Sequence, residues 1–467
     1  MTSRLLINFL LGLVLIFPGT AVFGMKDTSM YLFRDLSFSS GENNQHFQDS
    51  ILKTDNQDFA GANTHSDMLV TNVAADKRID TLTFARVLAN ASIIKTRLNQ
   101  LPAALDLLNR SIVLVNAESA FHNDIYPLMM IKAQILIEQG ELVKATDLLR
   151  RAQHITHRHD GVYSERQIDV VDLIADISMA RRDFLEADRQ QLFNLKIGEH
   201  VLGADSIALV PRLEKVGEHF RERGVRMPFI YSPAVSEAPI LKRKDRSDIF
   251  SESLLHYNRA LKILEDNYGP NDLRLVNTLR SIARTRLEQI SGRRYAEDIL
   301  ARVVRIIASN PVDDIPEHAA ALIQLGDTYT INGNNKAAQT YLEAWNLLAQ
   351  SPELEGLQEE IFNAATRIFP SSGLYSQLSR RPLKTQPGEE VYINATYTVR
   401  EDGRASEVDI IDGNAPVEQK KHLRLWLKES RFRPRIEEGQ LVRTEDIPIR
   451  QTFRIFGETV VQDTAEQ

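Results

Sequence analysis

The sequence predicts a mainly α-helical protein made of repeated helix pairs, followed by a small domain that mixes strands with one helix. Small residues recur 41 or 42 residues apart through the middle of the chain, as at Ala133, Ala175 and Gly217. After Gly388 the apolar pattern changes to strict alternation, which is typical of half-buried strands. The predicted fold is therefore a helical-repeat solenoid followed by a small α+β domain, a three-stranded antiparallel sheet with one covering helix.

Composition narrows the possible chemistry. The chain has 467 residues, a formal net charge of −7 and no cysteine. The missing cysteines exclude disulfides, thiolate metal sites and a cysteine nucleophile. The acidic balance gives no electrostatic reason to expect nucleic-acid binding.

The N-terminus has the pattern of a secretory signal peptide. Arg4 precedes an apolar run over residues 5–17, and small residues follow up to Gly24. This predicts a signal peptide over residues 1–24 and a location in the periplasm. The alternative is an uncleaved anchor formed by Leu5–Met25, which is just long enough to cross a bilayer.

Residues 25–76 are polar and show little periodicity, which predicts a flexible leader with at most brief helices. Helical repeats then extend over residues 77–370. Each pair of helices needs small residues where the two cross, and neither helix could bury its apolar face without a neighbouring pair. The small positions fall at Ser92 and Ala104, Ala133 and Ala145, Ala175 and Ala187, Gly217 and Gly224, Arg284 (beside Ala283) and Ala296, and Gly326 and Ala338.

The stretch Ile125–Thr156, with Ala133, Gly140 and Ala145, resembles a tetratricopeptide repeat. The long spacing resembles the repeats of kinesin-light-chain-like proteins, and the stretches GEHVLGADS and LEDNYGPND resemble their inter-repeat turns. The resemblance implies a concave groove that binds protein or peptide partners. The residues implied to line that groove are Gln134 and Ile137 in one repeat, and Asp327 and Thr330 in the last.

One interval between small positions is longer than the others, and the extra length maps to a proline-rich insertion over residues 225–246. Prolines cannot continue a helix, so this segment is predicted to be a loop. It is either a surface insertion or a contact for a partner through Phe229 and Tyr231. A last helix over Leu354–Ile368 is predicted to cover the end of the repeats, and residues 371–388 form a linker.

Residues 389–457 are predicted to form the α+β domain, and residues 458–467 a tail. Alternating apolar residues predict the strands, and a turn is expected at Gly403, which can adopt positive φ. The predicted elements are strands Val391–Val399 and Ala405–Ile411, helix Val417–Ser430, and strand Ile447–Phe456.

This domain resembles the C-terminal domain of TonB-family energy transducers in the segments YTVREDGRASEVDII, SRFRPR, EEGQLV and IPIRQTFRI. The resemblance implies that an edge strand pairs with a receptor peptide. That edge would be the closing strand, with Ile449, Gln451 and Phe453. Alternatively, this strand is internal or pairs with the C-terminal tail. The chain lacks the long proline-rich spacer of that family.

Three clusters contain residues that can be reactive or charged. His154, His157 and His159 could hold a metal, although histidines at a helix end also interact well with the helix dipole. Ser92 and Lys95 match the S-x-x-K pattern of penicillin-binding enzymes, but the companion motifs are absent. The basic residues of the last cluster could meet an acidic partner or lipid, or form a solvated face: Arg424, Lys428, Arg431, Arg433 and Arg435.

The sequence therefore predicts a non-catalytic adaptor, without a cofactor or metal, that is exported to the periplasm of a bacterial cell envelope. Its partners would be proteins or peptides there. The alternative is a divergent TonB-like energy transducer that is anchored by residues 5–25 and contacts outer-membrane receptors.

Overall fold

The computed structural model describes residues 27–226, 246–289, 292–310, 314–369 and 391–453. The predicted signal peptide, linker and tail, and residues 227–245 of the predicted insertion, lie outside the described residues. The chain divides into two compact units, one on each side of the insertion.

The first unit consists of helices that pack in series as antiparallel pairs, joined by short turns. The pairs are α1 with α2, α3 with α4, α5 with α6 and α7 with α8, and α9 follows them. Their bounds are α1 Gly41–Asp55, α2 Phe59–Ala75, α3 Thr81–Arg97, α4 Leu101–Glu118, α5 Ile125–Glu138, α6 Leu142–Asp160, α7 Ile168–Ala180, α8 Phe184–Leu202 and α9 Val210–Arg226.

The predicted flexible leader is wrong for residues 41–75, which form α1 and α2. Both helices begin at a side-chain cap, because Ser40 accepts from the Asn43 N–H and Asp58 accepts from the Gly61 N–H. The pair is held partly by polar contacts, such as the bond from Asn72 to Asn43 at 3.1 Å. Few apolar residues are therefore needed, and the helical periodicity is weak in the sequence. The small core consists of Phe38, Phe47, Leu69, Val73 and Val87.

The second unit contains the remaining helix pairs and the C-terminal domain. Its helices are α10 Arg246–Tyr268, α11 Val276–Glu288, α12 Arg293–Ser309, α13 Ile315–Asn332, α14 Ala337–Leu348 and α15 Glu355–Phe362. The predicted last helix ends earlier than expected, because Thr366–Phe369 form strand β1, which pairs with a later strand of the same unit. That pairing is non-local, and the local pattern alone could not reveal it.

The small residues lie at helix crossings, as predicted. The residues Ser92, Ala104, Ala133, Ala145, Ala175, Ala187 and Ala296 are all at most 1% exposed. In α13, a Cβ added to Gly326 would lie 2.7 Å from the Tyr341 ring of α14, so only glycine fits this crossing. At two positions the residue at the crossing is the direct neighbour of the predicted one, which corresponds to a rotation of about 100° around the helix.

The first displacement is in α11, where Arg284 is exposed and Ala283 is buried instead. The second is in α14, where Ala338 is exposed and Ala337 packs inward. A guanidinium cannot fit where two backbones approach closely, so the alanine beside Arg284 takes that position.

The C-terminal domain has the predicted three-stranded antiparallel sheet, in the order β3 (Ala405–Asp412), β2 (Val391–Val399) and β7 (Thr444–Phe453), with a covering helix. The inward side chains of β2 alternate as expected and pack on Leu423 and Leu427 of that helix. Two short ribbons, β1 with β4 and β5 with β6, complete the described strands. The bounds are β2 Val391–Val399, β3 Ala405–Asp412, α16 Val417–Glu429, β4 Arg431–Arg433, β5 Arg435–Glu437, β6 Gln440–Val442 and β7 Thr444–Phe453.

Candidate functional site

The four residues predicted to line a groove are all buried, at 3–4% exposed. Gln134 and Ile137 pack inside α5, where substitution would first disturb the core. A role in partner binding stays a prediction for these residues.

Asp327 and Thr330 of α13 contact the chain's own C-terminal domain. Arg433 of β4 donates from Nε to Asp327 Oδ1 at 3.0 Å and from Nη2 to Asp327 Oδ2 at 2.7 Å. The Tyr341 hydroxyl donates to Asp327 at 2.8 Å and lies 3.0 Å from the Thr330 hydroxyl. The polar atoms predicted to meet a partner are therefore paired with one another and with Arg433.

Burial and charge set the protonation states of this cluster. Burial raises the pKa of Tyr341 well above its ordinary value, and the Asp327 charge raises it further. Burial alone would lower the pKa of Arg433, but the charge and hydrogen bonds of Asp327 hold it above the usual value. The cluster thus contains one full ion pair and a neutral tyrosine.

The contact between the last repeat and the C-terminal domain extends beyond the ion pair. A Cβ on Gly403, which has φ of +74°, would lie 2.2 Å from the Phe432 carbonyl oxygen and 2.7 Å from Thr330 Cγ2. Ile436 of β5 joins the apolar cluster of Leu322 and Phe362. Helices α13, α14 and α15 and the C-terminal domain therefore share one core.

Strand β7 lies at one edge of the sheet and, within residues 391–453, pairs with β2 alone. Ile449 is half-buried and packs on the domain core, while Gln451 lies opposite Ile393. The backbone of Phe453 pairs with Val391. Pro448 has no N–H, and a proline is tolerated at an edge where its nitrogen faces away from the neighbouring strand. Within the described residues, strand addition at this edge is therefore possible mainly at residues 449–453, which follow Pro448.

In the first unit the helix pairs hold an extended stretch of the same chain. The Phe33 N–H donates to Asn90 Oδ1 at 2.8 Å, and Asn90 Nδ2 donates to the Phe33 carbonyl at 2.9 Å. The Tyr31 ring meets Tyr126 edge-on with centroids 6.3 Å apart, and Leu32 is buried beside Ala89. Sequence reasoning missed Asn90, whose only signal is a polar residue inside the apolar run of α3.

A small pocket of about 190 Å³ lies among α7, α8 and α9 and is lined by both polar and apolar side chains. Asp172 accepts a hydrogen bond from Asn194 Nδ2 at 2.7 Å and another from Lys215. Gln191 Oε1, Asn194 Oδ1 and Arg212 Nη1 are buried and have no hydrogen-bond partner among the described residues. Sequence reasoning also missed this pocket. We call it the polar pocket and define it by Asp172, Gln191, Asn194, Arg212 and Lys215.

The three histidines at the end of α6 each contact protein groups. His157 Nε2 lies 2.5 Å from Gln167 Oε1, and His159 Nε2 lies 2.5 Å from the Phe121 carbonyl oxygen. The His154 ring packs near the Phe121 ring. Across the described ranges, no group of three or more His, Cys, Asp or Glu side chains could hold a metal ion.

Ser92 and Lys95 do not form a nucleophile and base pair. Ser92 is fully buried, and its hydroxyl donates to the Ala89 carbonyl at 2.7 Å. Lys95 Nζ instead contacts Asp67 at 2.8 Å and Asn63 at 3.0 Å. The serine therefore serves helix packing.

The predicted basic cluster is not a single face. Arg433 is buried on Asp327, and Arg435 pairs with Glu437. Arg431 is half-buried, and this burial lowers its pKa. Of these five residues, Arg424 and Lys428 are exposed on α16, so the five do not form one continuous basic face.

Among the described helices, none has the length and apolar character needed to cross a membrane. No protein family and no curated protein matches the chain. Several solved repeat structures resemble it at low identity. BtubC from P. vanneervenii aligns over 55% of this chain and 94% of its own, at 14% identity and a TM-score of 0.38.

The C-terminal part of a tetratricopeptide-repeat protein from Cytophaga hutchinsonii aligns over 67% of this chain and 97% of its own, at 13% identity and a TM-score of 0.41. The apo form of RapI covers 66% of this chain and 100% of its own, at 11% identity and a TM-score of 0.39. We therefore base the function on this chain's own residues.

Proposed function

We propose that the chain is a non-catalytic scaffold that binds protein or peptide partners in the bacterial periplasm, after export directed by residues 1–24. The observation that supports binding is the Asn90 side chain, which pairs with both main-chain groups of Phe33. A side-chain amide that bonds main-chain N–H and C=O holds an extended chain whatever its sequence. The helix pairs thus have the chemistry to hold an extended peptide.

We propose the edge of β7 as a second contact, through strand addition by a partner segment. Successive N–H groups of a strand point to opposite sides, so the N–H of Thr452 faces the same side as the nitrogen of Pro448. Because Pro448 cannot donate to β2, this is the open side of the edge. Thr452 therefore offers a donor to a partner strand and gives none to β2.

The test is partner capture from a cell-envelope fraction by the tagged full-length protein. Thr452→Pro removes the Thr452 N–H and should weaken capture through the edge, while the β2–β7 pairing and the melting temperature stay unchanged. Thr452→Val keeps the N–H and is the matched control. Full capture by the folded proline variant would refute a role for this edge.

A second candidate is a divergent TonB-like transducer that stays anchored by Leu5–Met25 and contacts outer-membrane receptors. The observation that favours it is the three-stranded sheet with one covering helix and β7 at its edge. N-terminal sequencing separates the two candidates. A mature chain that starts at Val22 or Met25 supports the exported scaffold, whereas a membrane-bound chain that retains residues 1–24 supports the transducer.

A further inference from the structure

We propose that the polar pocket binds the main chain of an extended peptide segment from a partner protein. Gln191 and Asn194 would accept hydrogen bonds from peptide N–H groups, and Arg212 would donate to a peptide carbonyl. This inference rests on the proposed scaffold function and adds to it a defined site and the chemistry of its ligand.

The first argument is that the two amide side chains are buried without partners for their oxygens. Gln191 is 3% exposed and Asn194 is 4% exposed, yet neither Gln191 Oε1 nor Asn194 Oδ1 meets a donor among the described residues. Most buried polar side-chain atoms in folded proteins are paired, because an unpaired one costs about 1–3 kcal/mol. Both oxygens are inaccessible in this conformation while both residues line the pocket, so we infer that a ligand pairs them after these side chains turn toward it.

The orientation of Asn194 follows from its neighbour. An ionised carboxylate only accepts hydrogen bonds, so the Asn194 group that contacts Asp172 at 2.7 Å must be its NH₂. Asp172 also accepts a hydrogen bond from Lys215 on its other oxygen, so both carboxylate oxygens have a donor. The Asn194 oxygen is therefore an acceptor without a partner among the described residues.

Arg212 supplies the opposite chemistry. Its Nη1 has no acceptor among the described residues, while Nη2 lies 3.5 Å from Glu165. Gly198 of α8 makes room for this side chain, because a Cβ there would lie 2.7 Å from both Cδ and Nη1 of Arg212. A glycine inside a helix costs about 1 kcal/mol relative to alanine. At Gly198 the absence of a side chain lets the Arg212 guanidinium pack against α8 while Arg212 lines the same pocket as Gln191 and Asn194.

The size of the pocket limits the ligand. About 190 Å³ is room for roughly six waters at about 30 Å³ each, well below the roughly 300–1,000 Å³ of drug-sized ligand sites. One or two peptide units fit this volume. A peptide unit also carries the N–H and C=O that two acceptors and one donor require.

The same unit shows this mode of binding at a neighbouring place. Asn90 pairs with the N–H and C=O of Phe33, and two residues earlier the Tyr31 hydroxyl lies 3.5 Å from Asp169 of α7. Asp169 and Asp172 are one turn apart on α7, so the polar pocket lies close to where this internal peptide stretch contacts the helix. A partner peptide in the pocket would use helices that already bind main chain.

The test uses acetyl-tetraalanine amide at millimolar concentration, with binding to the full-length protein measured by saturation-transfer NMR. We expect binding to the wild type and none for the analogue in which every backbone amide is N-methylated. Gln191→Met has a similar shape but no acceptor, and should weaken binding about tenfold, the equivalent of one hydrogen bond. It should not lower the melting temperature, because it removes a buried unpaired oxygen.

Gln190→Met is the matched control. Gln190 donates to Glu186 at 2.9 Å and does not line the pocket, so this variant should bind the peptide as the wild type does. Absence of peptide binding by the wild type, equal binding by Gln191→Met, or binding of the N-methylated peptide would each overturn the proposal. The peptide-binding measurements test the pocket alone. The role of β7 is tested separately, by partner capture with Thr452→Pro.

Discussion

Arg433 and Asp327 lie 106 residues apart in the sequence and form a two-pronged ion pair whose side chains are only 9% and 5% exposed. Charges this deeply buried are tolerated when each has its partner and the remaining lone pairs are hydrogen-bonded. Tyr341 supplies the additional hydrogen bond to Asp327. The last repeat and the C-terminal domain should therefore unfold together.

Removal of either charge alone should be costly. Arg433→Met leaves Asp327 buried without its counter-charge, and we expect a loss of about 3–5 kcal/mol in the free energy of unfolding of the second unit. The double variant Asp327→Leu with Arg433→Met should recover most of that loss. Urea denaturation, followed by tryptophan fluorescence from Trp345 and Trp426, measures both.

Arg443→Ala is the control for that experiment, because it removes an exposed ion pair with Glu407 and should barely change the urea midpoint. If Arg433→Met is as stable as Arg443→Ala, the buried pair does not hold the domain to the repeat.

Gly403 should be far less tolerant of substitution than a glycine of similar backbone conformation elsewhere. A Cβ at Gly403 would collide with the Phe432 carbonyl and with Thr330, whereas Gly269, at φ of +85°, has no atom within 4 Å of an added Cβ. Gly269→Ala should cost only the backbone strain, about 1–2 kcal/mol. Gly403→Ala adds steric overlap and should destabilise the second unit clearly more. Similar melting temperatures for the two variants would contradict this account.

The repeats could be predicted from the sequence because a helix crossing imposes a local demand, a small residue at a fixed position. Ala133, Ala175 and Gly217 meet that demand whatever the rest of the chain does. The helices α1 and α2 were missed because polar contacts such as Asn43 with Asn72 replace part of the apolar pattern.

The functional positions were harder to predict. Asp327 was predicted to line a partner-binding groove, but it pairs with Arg433 of the C-terminal domain, and no local pattern joins the two. Asn90 appears in the sequence as one amide within an apolar stretch, whereas Gln191 follows Gln190 in a polar run and Asn194 lies three residues further on. Whether such an amide is paired, and with what, depends on the three-dimensional arrangement of several helices.

Asn90→Leu should release the stretch before α1 from the helix pairs. The Phe33 N–H and carbonyl would each lose their hydrogen bond to Asn90. Leaving these main-chain groups unpaired should weaken the attachment of this stretch by about 1–3 kcal/mol. We expect faster proteolytic cleavage within residues 27–38, with the helical circular dichroism signal unchanged. Asn109→Leu is a control, because Asn109 only accepts from the Lys132 side chain at 2.8 Å. Equal cleavage rates for the two variants would show that Asn90 does not hold the stretch.

His219 should make the first unit sensitive to mild acid. Its side chain is 7% exposed, and burial lowers its pKa from 6.5 to about 4, although Glu222 and Asp176 act in the opposite direction. Its Nε2 lies 2.9 Å from Asp188, whose other oxygen pairs with Arg223. The histidine is therefore neutral in the folded protein at pH values where the unfolded chain is already protonated.

The sign of the effect follows from proton binding. Between pH 6.5 and about 4 the unfolded state binds more protons than the folded state, so stability falls as the pH is lowered through this window. The loss attributable to His219 approaches about 3 kcal/mol near pH 4 and vanishes above pH 7. Urea midpoints measured at several pH values should show this slope in the wild type. His219→Gln should flatten it, and an unchanged slope in that variant would mean that other groups cause the acid sensitivity.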